Sequence, residues 1–350
     1  MEQRNLGKTG ISVSRYCLGT MMFGVMGNRD HRDCVAIIHR ALDSGVNFID
    51  TADAYSRGES EEIVGKALKG RRDRVVLATK FFVPMGEDPN MKGGSRRWIV
   101  EEVENSLRRL GTDYIDLYQI HRYDDATDLE ETLSALSDLV HQGKIRCFGS
   151  SMFPADRIVE SHWIAEKRGL LRFRCEQPWY SIFAREIERF VLPACARYGM
   201  GAIIWSPLDG GWLTGRYRKP EDLDEKSRIV ALARMRGKDF DPAGELNLRK
   251  FQLVDALSKL AADSGLSLTH LALAFTLEHP AVTAAIIGPR TREQLDDLLA
   301  AVDLRLDSEI LDRIDALVPP GTSVNGIDPT SRPQGLGRRV RRRQSGRASR

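Results

Sequence analysis

Short apolar runs rich in β-formers alternate along the chain with segments in which apolar residues recur at helical spacing. Several of the runs are apolar nearly throughout, which is typical of strands buried on both faces. They predict eight β-strands. The runs begin at Tyr16, Asn47, Arg74, Tyr114, Ile145, Phe173, Gly201 and Val282.

The segments between these runs carry the end signals of helices. The segment after Asp30 ends at Gly45, as at a helix C-terminus. Ser60 precedes acidic residues and is predicted to be an N-cap, and two arginines before Gly111 suit the end of a helix dipole. Strands that alternate with helices predict a parallel sheet with right-handed crossovers, and eight such units predict an α/β fold of the (β/α)₈ TIM-barrel type.

An open, doubly wound sheet is the competing architecture. When such a sheet binds dinucleotides it carries G-x-G-x-x-G after its first strand, and the chain has no such motif there, which favours the barrel. The stretch RNLGKTGISVS before the first run predicts a β-hairpin that covers the bottom of the barrel. The polar insertion from Arg216 to about Asn247 predicts a long loop after strand 7 of the barrel, of a length typical of functional or mobile loops.

The chain has 350 residues, which suffices for one barrel over residues 1–320 and a disordered, arginine-rich C-terminal tail over residues 321–350. The last twenty residues hold eight arginines and no acidic residue, so the rest of a chain with a net charge of +3 is net negative. This argues against a nucleic-acid-binding domain. We expect a solvated tail without a dedicated role; contact with nucleic acid or acidic lipid is the alternative.

The five cysteines are scattered, without a CxxC pair or a histidine at metal-ligand spacing. We therefore expect reduced, buried thiols and no metal site. The polar N-terminus predicts no signal peptide, and no apolar run approaches the ~20 residues of a membrane span. The expectation is a cytoplasmic protein without a membrane or nucleic-acid partner; a homo-oligomer remains open.

Ionisable residues follow three successive predicted strands. Asp50 ends the second strand and Tyr55 lies on the loop after it, while Lys80 and His121 end the third and fourth. Any one of them alone is more often a surface or structural residue. Because catalytic groups of such barrels lie at the carboxyl ends of the strands, the four together predict a catalytic site.

These four side chains suit proton transfer to a carbonyl oxygen. A nearby ammonium lowers the pKa of a tyrosine, so Lys80 is expected to activate Tyr55 as an acid, with Asp50 holding Lys80. His121 can orient or stabilise the same oxygen. Since no side chain supplies a hydride, carbonyl reduction implies a nicotinamide cofactor.

At these residues the sequence resembles the aldo-keto reductases, particularly their longer bacterial members and the relatives of potassium-channel β subunits. The resemblance runs from about Arg4 to about Val318 and implies a (β/α)₈ barrel, dependence on NADPH (bound or released as NADP⁺) and reduction of aldehydes or ketones. It makes Tyr55 the general acid, tuned by Lys80. The matching motifs are LGKTGISVS, LGTMMFG, GVNFIDTADAY, ATK, QIHR, FGSSMF, EQPWYSIFARE, WSPLDGGWLTGRY and IIGPRTREQL.

The resemblance also implies which residues hold the cofactor. Ser151 and Gln177 would bind the nicotinamide carboxamide, whereas Met152 stands where the family often has Asn or Arg. Trp205 would stack on the nicotinamide ring, and the turn at residues 206–208 would lie along the diphosphate, with Arg216 and Arg228 as phosphate contacts.

By the same resemblance, four residues would hold the adenosine end: Gly288, Arg290, Gln294 and Asp297. Arg290 would contact the 2′-phosphate, which favours NADP over NAD; a solvated surface charge is the alternative. The full set is Thr20, Met21, Asp50, Ser151, Met152, Gln177, Trp205, Ser206, Pro207, Leu208, Arg216, Arg228, Gly288, Arg290, Gln294 and Asp297.

Apolar residues in or near the same loops are predicted to form a wall around a small-molecule carbonyl substrate. Core packing is the equal alternative for each of the wall residues other than Tyr55 and His121. The predicted pocket comprises Met22, Phe23, Tyr55, Phe82, His121, Phe153 and Trp179. Two further functional hypotheses remain beside the reductase: an NADP(H)-binding sensor or regulatory subunit with little turnover, and an adaptor that acts through the arginine-rich tail.

Overall fold

The computed structural model describes residues 1–225, 227, 229–230 and 241–325. Eight parallel strands form a closed barrel, because β10 pairs with both β9 and β3. An antiparallel hairpin precedes them, so the predicted barrel and hairpin are confirmed. The strands are β1 Gln3–Asn5, β2 Ser12–Ser14, β3 Tyr16–Gly19, β4 Phe48–Asp50, β5 Val76–Phe81, β6 Ile115–Ile120, β7 Ile145–Ser151, β8 Cys175–Gln177, β9 Gly201–Ile204 and β10 Val282–Ile287.

Helices surround the barrel and are numbered here along the described residues. Several begin at side-chain caps: Asp30 accepts hydrogen bonds from the first turn of α1, and Ser95 from that of α3. They are α1 His31–Asp43, α2 Glu59–Leu68, α3 Arg96–Leu110, α4 Leu129–His141, α5 Ala155–Arg168, α6 Val191–Tyr198, α7 Glu245–Asp263, α8 Leu268–Glu278, α9 Arg292–Ala300 and α10 Ser308–Leu317.

The prediction that Ser60 caps α2 is wrong. The N-cap is Gly58, two residues earlier and in the left-handed conformation, and the helix begins at Glu59. The Ser60 hydroxyl is buried and bonds to Thr20 and Thr51 instead, so it joins the ends of strands β3 and β4 to the helix.

An apolar layer fills the lower interior of the barrel. Each of the eight barrel strands contributes one buried side chain to it, and Leu6 and Val13 of the hairpin region close it from below. The strand residues are Cys17, Phe48, Ala78, Leu117, Cys147, Cys175, Ile203 and Ala284. Two residues further along β4, β5, β6 and β8, the side chains that point to the same face are polar: Asp50, Lys80, Gln119 and Gln177. The interior of the barrel is therefore apolar below and polar at its carboxyl end, where active sites of this fold lie.

The chain beyond α10 returns to the barrel. Ser323 forms a β-bridge with Ala184, and the Val324 amide donates to Phe183 at 2.8 Å. The predicted domain boundary at residue 320 precedes these contacts, so residues 321–325 belong with the barrel. The rest of the predicted tail, and Arg228 in the long loop, lie outside the described residues.

The five cysteines are free and buried, as expected. Within the described ranges no group of three or more histidine, cysteine or acidic side chains is placed to hold a metal ion. Among the same residues no single helix is long and apolar enough to cross a membrane; only α7 and α8 together, bent by 89°, satisfy that test of length and composition.

Candidate active site

Lys80 lies at the centre of the predicted catalytic group. Its ammonium is fully buried near the end of β5, where it donates to Asp50 Oδ2 at 2.5 Å, to the carbonyl of Thr51 at 2.8 Å and to Tyr55 Oη at 3.3 Å. A buried ammonium requires such partners, since desolvation without them would neutralise it. The structure thus brings three of the four predicted residues into direct contact.

Both oxygens of Asp50 are held. Oδ2 faces Lys80, while Oδ1 accepts from Gln177 Nε2 at 2.9 Å and Gln119 Nε2 at 3.3 Å. The sequence analysis did not identify Gln119 as a site residue. The signal was present, because a polar residue two positions before His121 in an apolar strand points to the same face of the sheet.

Tyr55 begins a short 3₁₀ helix directly after the loop that follows β4. The next two residues, Ser56 and Arg57, have φ of 51° and 56°, a conformation that residues other than glycine adopt only when their surroundings hold it. Here the Ser56 hydroxyl donates to the carbonyl of Phe23 at 2.8 Å. The turn is therefore fastened to the loop after β3, which fixes the direction of the Tyr55 phenol.

The pKa of Tyr55 differs in direction from the sequence-based expectation. Burial raises the pKa of the phenol more than the Lys80 charge lowers it, so the net change is upward. For Lys80, burial lowers the pKa, but Asp50 and Tyr55 outweigh it and the net pKa is raised. At neutral pH the site thus holds a protonated phenol beside an ammonium, the state that a proton donor needs.

His121, the residue directly after β6, is the fourth member of the predicted catalytic group. Its ring meets that of Tyr55 edge-to-face, with centroids 5.9 Å apart. Burial and the charges of Lys80 and Arg122 hold its pKa well below the usual value, so the imidazole is neutral. Its Nδ1 is buried and has no hydrogen-bond partner among the described residues.

The end of β7 carries the predicted carboxamide-binding residues. Ser151 Oγ donates to the carbonyl of Gln177 at 2.9 Å, and Met152, with φ of 60°, donates its amide to the same carbonyl at 3.3 Å. Glu176 lies buried behind this turn, where it accepts from the amide of Phe153 at 3.1 Å; burial raises its pKa to about 7. Sequence reasoning missed Glu176, since only the fold shows that it supports the turn.

Trp205 follows β9 and stacks on Trp179, with ring centroids 5.4 Å apart and an interplanar angle of 18°. Both rings are partly exposed, and the buried Trp179 Nε1 has no partner among the described residues. Ser206, Pro207 and Leu208 come directly after Trp205, with Ser206 at φ of 58°. The predicted stacking residue and the predicted turn thus lie at the same end of the barrel.

The residues predicted for the adenosine end lie on the loop after β10 and in the first turns of α9, where Arg290 is partly buried and Gln294 is exposed. Thr291 caps this helix, and the Arg290 amide donates to Gln294 Oε1 at 2.8 Å. In the described part of the chain, nothing lies within hydrogen-bond or ion-pair distance of the Arg290 guanidinium. The remaining predicted residues, Gly288, Asp297 and Arg216, are exposed; Asp297 bonds to His270, and Arg216 to Thr214.

The predicted substrate wall divides into two groups. Phe82 and Trp179 are partly exposed near the opening. Phe23 and Phe153 are fully buried, and Phe153 packs edge-to-face on Phe173 and Tyr123. For these two rings the structure shows the core packing that the sequence left as the alternative.

Three further predicted residues lie beside β3, at the end of the barrel that carries the catalytic group. Met22 is largely buried and Met21 partly so. The Thr20 hydroxyl is committed to the Asp50 carbonyl and to Ser60, so it fastens neighbouring elements together.

These features fit a nicotinamide cofactor. Among the described residues, the buried nitrogens of His121 and Trp179 and the Arg290 guanidinium have no hydrogen-bond partner, so a ligand could satisfy them. Ser151, Gln177 and Trp205 stand beside the catalytic group, and the α9 N-terminus suits a phosphate. The site thus offers polar and aromatic groups that suit a nicotinamide cofactor.

Comparison with known proteins agrees with this geometry. A family model described as "Aldo/keto reductase family" matches residues 15–319. The chain is 41% identical to the uncharacterized oxidoreductase YrpG of Bacillus subtilis, over 92% of this chain and 97% of that protein. It is 36% identical to a "probable voltage-gated potassium channel subunit beta" of Oryza sativa subsp. japonica, over 91% and 97%, and 35% identical to the versiconal hemiacetal acetate reductase of Aspergillus parasiticus, over 88% and 94%.

The family match spans the whole barrel, and each of these relatives is aligned over nearly its full length. The barrel fold and the buried polar group at its carboxyl end agree with these matches. The chain therefore belongs to the aldo/keto reductase family of oxidoreductases, whose members use nicotinamide cofactors.

Proposed function

We propose that this protein reduces aldehydes or ketones to alcohols with NADPH, and that Tyr55 is the general acid. The observation that carries the proposal is the buried Lys80 ammonium in contact with both Asp50 and Tyr55, at 2.5 Å and 3.3 Å. A cation is thereby held beside a phenol whose raised pKa keeps its proton at neutral pH. This combination suits a donor that gives up its proton only when charge develops on a nearby oxygen.

Each side chain has a distinct task in this proposal. The nicotinamide ring, held beside Ser151, Gln177 and Trp205, would supply the hydride for the carbonyl carbon. The Tyr55 hydroxyl gives its proton to the carbonyl oxygen, and the Lys80 ammonium stabilises the phenolate that remains. Asp50 keeps Lys80 charged and in place, while the neutral His121 imidazole offers a polar contact that orients the carbonyl.

We further propose that Ser151, Gln177 and Trp205 position the nicotinamide ring and that Arg290 binds the 2′-phosphate. Ser151 and Gln177 are buried at the carboxyl ends of β7 and β8, beside Asp50, which suits contacts to a carboxamide. The Arg290 guanidinium can form a bidentate pair with phosphate and stands at a helix N-terminus. A preference for NADPH over NADH follows.

Fluorescence titration with NADPH tests the proposal directly. Saturable binding is expected, followed by NADPH oxidation, read at its absorbance band, when methylglyoxal or an aromatic aldehyde is added. The control is the same sample without the carbonyl compound. Absence of NADPH and NADH binding would contradict the proposal.

A regulatory subunit with little turnover is the second candidate, and the relatives named as potassium-channel β subunits favour it. It predicts NADPH binding without oxidation across a broad panel of aldehydes and ketones. The contacts of Lys80 with Asp50 and Tyr55 favour the reductase, because a protein that only senses the cofactor does not require a proton donor. We expect a cytoplasmic location for either candidate.

A further inference from the structure

The loop after β9, residues 205–215, has an unusual backbone. It includes two residues other than glycine with positive φ, Ser206 at 58° and Asp209 at 48°, followed by Gly210 at 69° and Gly211 at 106°. Left-handed conformations of non-glycine residues persist where the surrounding structure holds them. The shape of this loop therefore depends on contacts that bind it from outside.

The Asp209 side chain supplies such contacts. It is buried, its Oδ1 accepts from Asn325 Nδ2 at 2.8 Å, and its Oδ2 lies 3.3 Å from Lys250 Nζ. The Ser181 hydroxyl also points to Oδ1, at 3.5 Å. These four residues, here called the Asp209 junction, join the β9 loop to the β8 loop, helix α7 and the end of the described chain.

Residues 319–325 reach the junction by crossing the loop after β8. The Arg185 amide donates to Thr322 O at 2.9 Å, and the Gly321 amide donates to Glu188 Oε2 at 2.9 Å. The Val324 amide donates to Phe183 O at 2.8 Å. Asn325 is thus placed by main-chain pairing before its side chain reaches Asp209.

Lys250 approaches from α7 on the other side. Its largely buried ammonium lies 5.1 Å from the ring centroid of Trp212 and 6.0 Å from that of Phe183. Its ion-pair partner among the described residues is Asp209. A buried cation and a buried carboxylate each lose their compensation when the other is removed, so the two hold each other in place.

We propose that Asn325 and Lys250 are positioning residues which, through Asp209, hold the β9 loop in the shape that receives the diphosphate of the nicotinamide cofactor. The proposal rests on the proposed function, because it concerns the affinity of that same cofactor site. No residue of the junction needs to touch the reacting carbonyl. Its loss is expected to weaken cofactor binding and to leave substrate recognition unchanged.

Asn325→Ala tests this, with Thr322→Ala as the matched control. Thr322 is an exposed residue of the same segment whose hydroxyl donates to Pro319 O. Loss of a hydrogen bond to a charged acceptor is expected to weaken NADPH binding about tenfold in Asn325→Ala, and the KM for NADPH should rise while the KM for the carbonyl substrate stays constant. Thr322→Ala should match the wild type in NADPH affinity, in the KM for NADPH and in the KM for the carbonyl substrate.

Asn325→Asp separates this role from packing, because it keeps the shape of the side chain and places a second carboxylate against Asp209. We expect it to bind NADPH more weakly than Asn325→Ala does. If the role were only to fill space, Asn325→Asp would equal the wild type, and that result would overturn the inference. Equal NADPH affinity of the wild type and Asn325→Ala would overturn it as well.

Hydrogen exchange of the loop amides in the cofactor-free protein distinguishes failure of this inference from failure of the proposed function. Exchange at residues 206–215 should be faster in Asn325→Ala than in Thr322→Ala. A wild type that binds no nicotinamide cofactor would refute the proposed function and the cofactor role together. If the wild type binds NADPH but exchange is unchanged in Asn325→Ala, only the inference fails.

Discussion

The two ends of the proposed cofactor site are built in opposite ways. At the catalytic end, Lys80 and Asp50 are buried, and their polar atoms bond to neighbouring residues of the protein. At the adenosine end, Gln294 and Asp297 are exposed, and the Arg290 guanidinium has no partner among the described residues. The first end is preorganised, whereas the second would be completed only by a ligand.

This difference separates two kinds of contribution. Preorganised charges in a site shielded from water act most strongly on the reaction itself, because they need no rearrangement as charge develops. Exposed charges that bind a phosphate contribute to affinity and selectivity, and solvent screens them. Substitutions at the catalytic end should therefore affect turnover and stability, and those at the adenosine end should affect cofactor choice.

The largest effect is expected from Lys80→Met. The variant leaves the Asp50 carboxylate buried without its cation, which typically costs about 3–5 kcal/mol of stability, and the phenolate of Tyr55 loses its stabilising charge. We expect turnover to fall below detection. Urea unfolding and NADPH oxidation would measure the two effects.

The double variant Asp50→Asn with Lys80→Met is the matched control, since it removes both charges. It should recover most of the lost stability while turnover stays absent. Recovery of turnover in the double variant would contradict the role of Lys80 in the reaction.

The second-largest effect is expected from Glu176→Gln, which should change how the stability of the folded protein depends on pH. The pKa of Glu176 in the folded protein is about 7, above its usual value of 4.5, so the folded state holds a proton that the unfolded state releases. The wild type should lose stability relative to Glu176→Gln as pH rises from about 4.5 to about 7, by on the order of 3 kcal/mol. Urea unfolding of both proteins at several pH values measures the difference, and a constant difference would contradict the buried proton.

Arg290→Ala tests the adenosine end and should have the smallest effect. We expect the KM for NADPH to rise about tenfold with little change in the KM for NADH, because only NADPH carries the 2′-phosphate. Arg292→Ala is the control, since this neighbouring arginine already has Asp33 as an ion-pair partner at 3.5 Å. Equal losses with the two cofactors would show that Arg290 does not recognise that phosphate.

The same division explains what the sequence could predict. Strands buried on both faces produce apolar runs, so all eight barrel strands could be located. The residues proposed as catalytic could be singled out by their positions at the strand ends. The residues proposed for the adenosine end rest on family resemblance, since nothing in the spacing of Gly288 or Arg290 indicates a cofactor.

Side-chain direction and burial could not be predicted. Phe23 and Phe153 lie beside the same loops as Phe82, yet they turn into the core, which only tertiary packing decides. The raised pKa of Tyr55 depends on how deeply the fold buries the phenol. The Asp209 junction joins residues that are far apart in the chain, so no local sequence pattern predicts their contacts.

Tyr55→Phe, which removes one oxygen atom, tests the central claim most directly. NADPH affinity and the rate of a single turnover with a saturating carbonyl substrate should be measured side by side in the wild type and the variant. The account predicts unchanged NADPH affinity and a rate lowered by about a thousandfold or more, within the range ascribed to general acids. A variant that reduces the carbonyl at the wild-type rate would show that Tyr55 is not the proton donor.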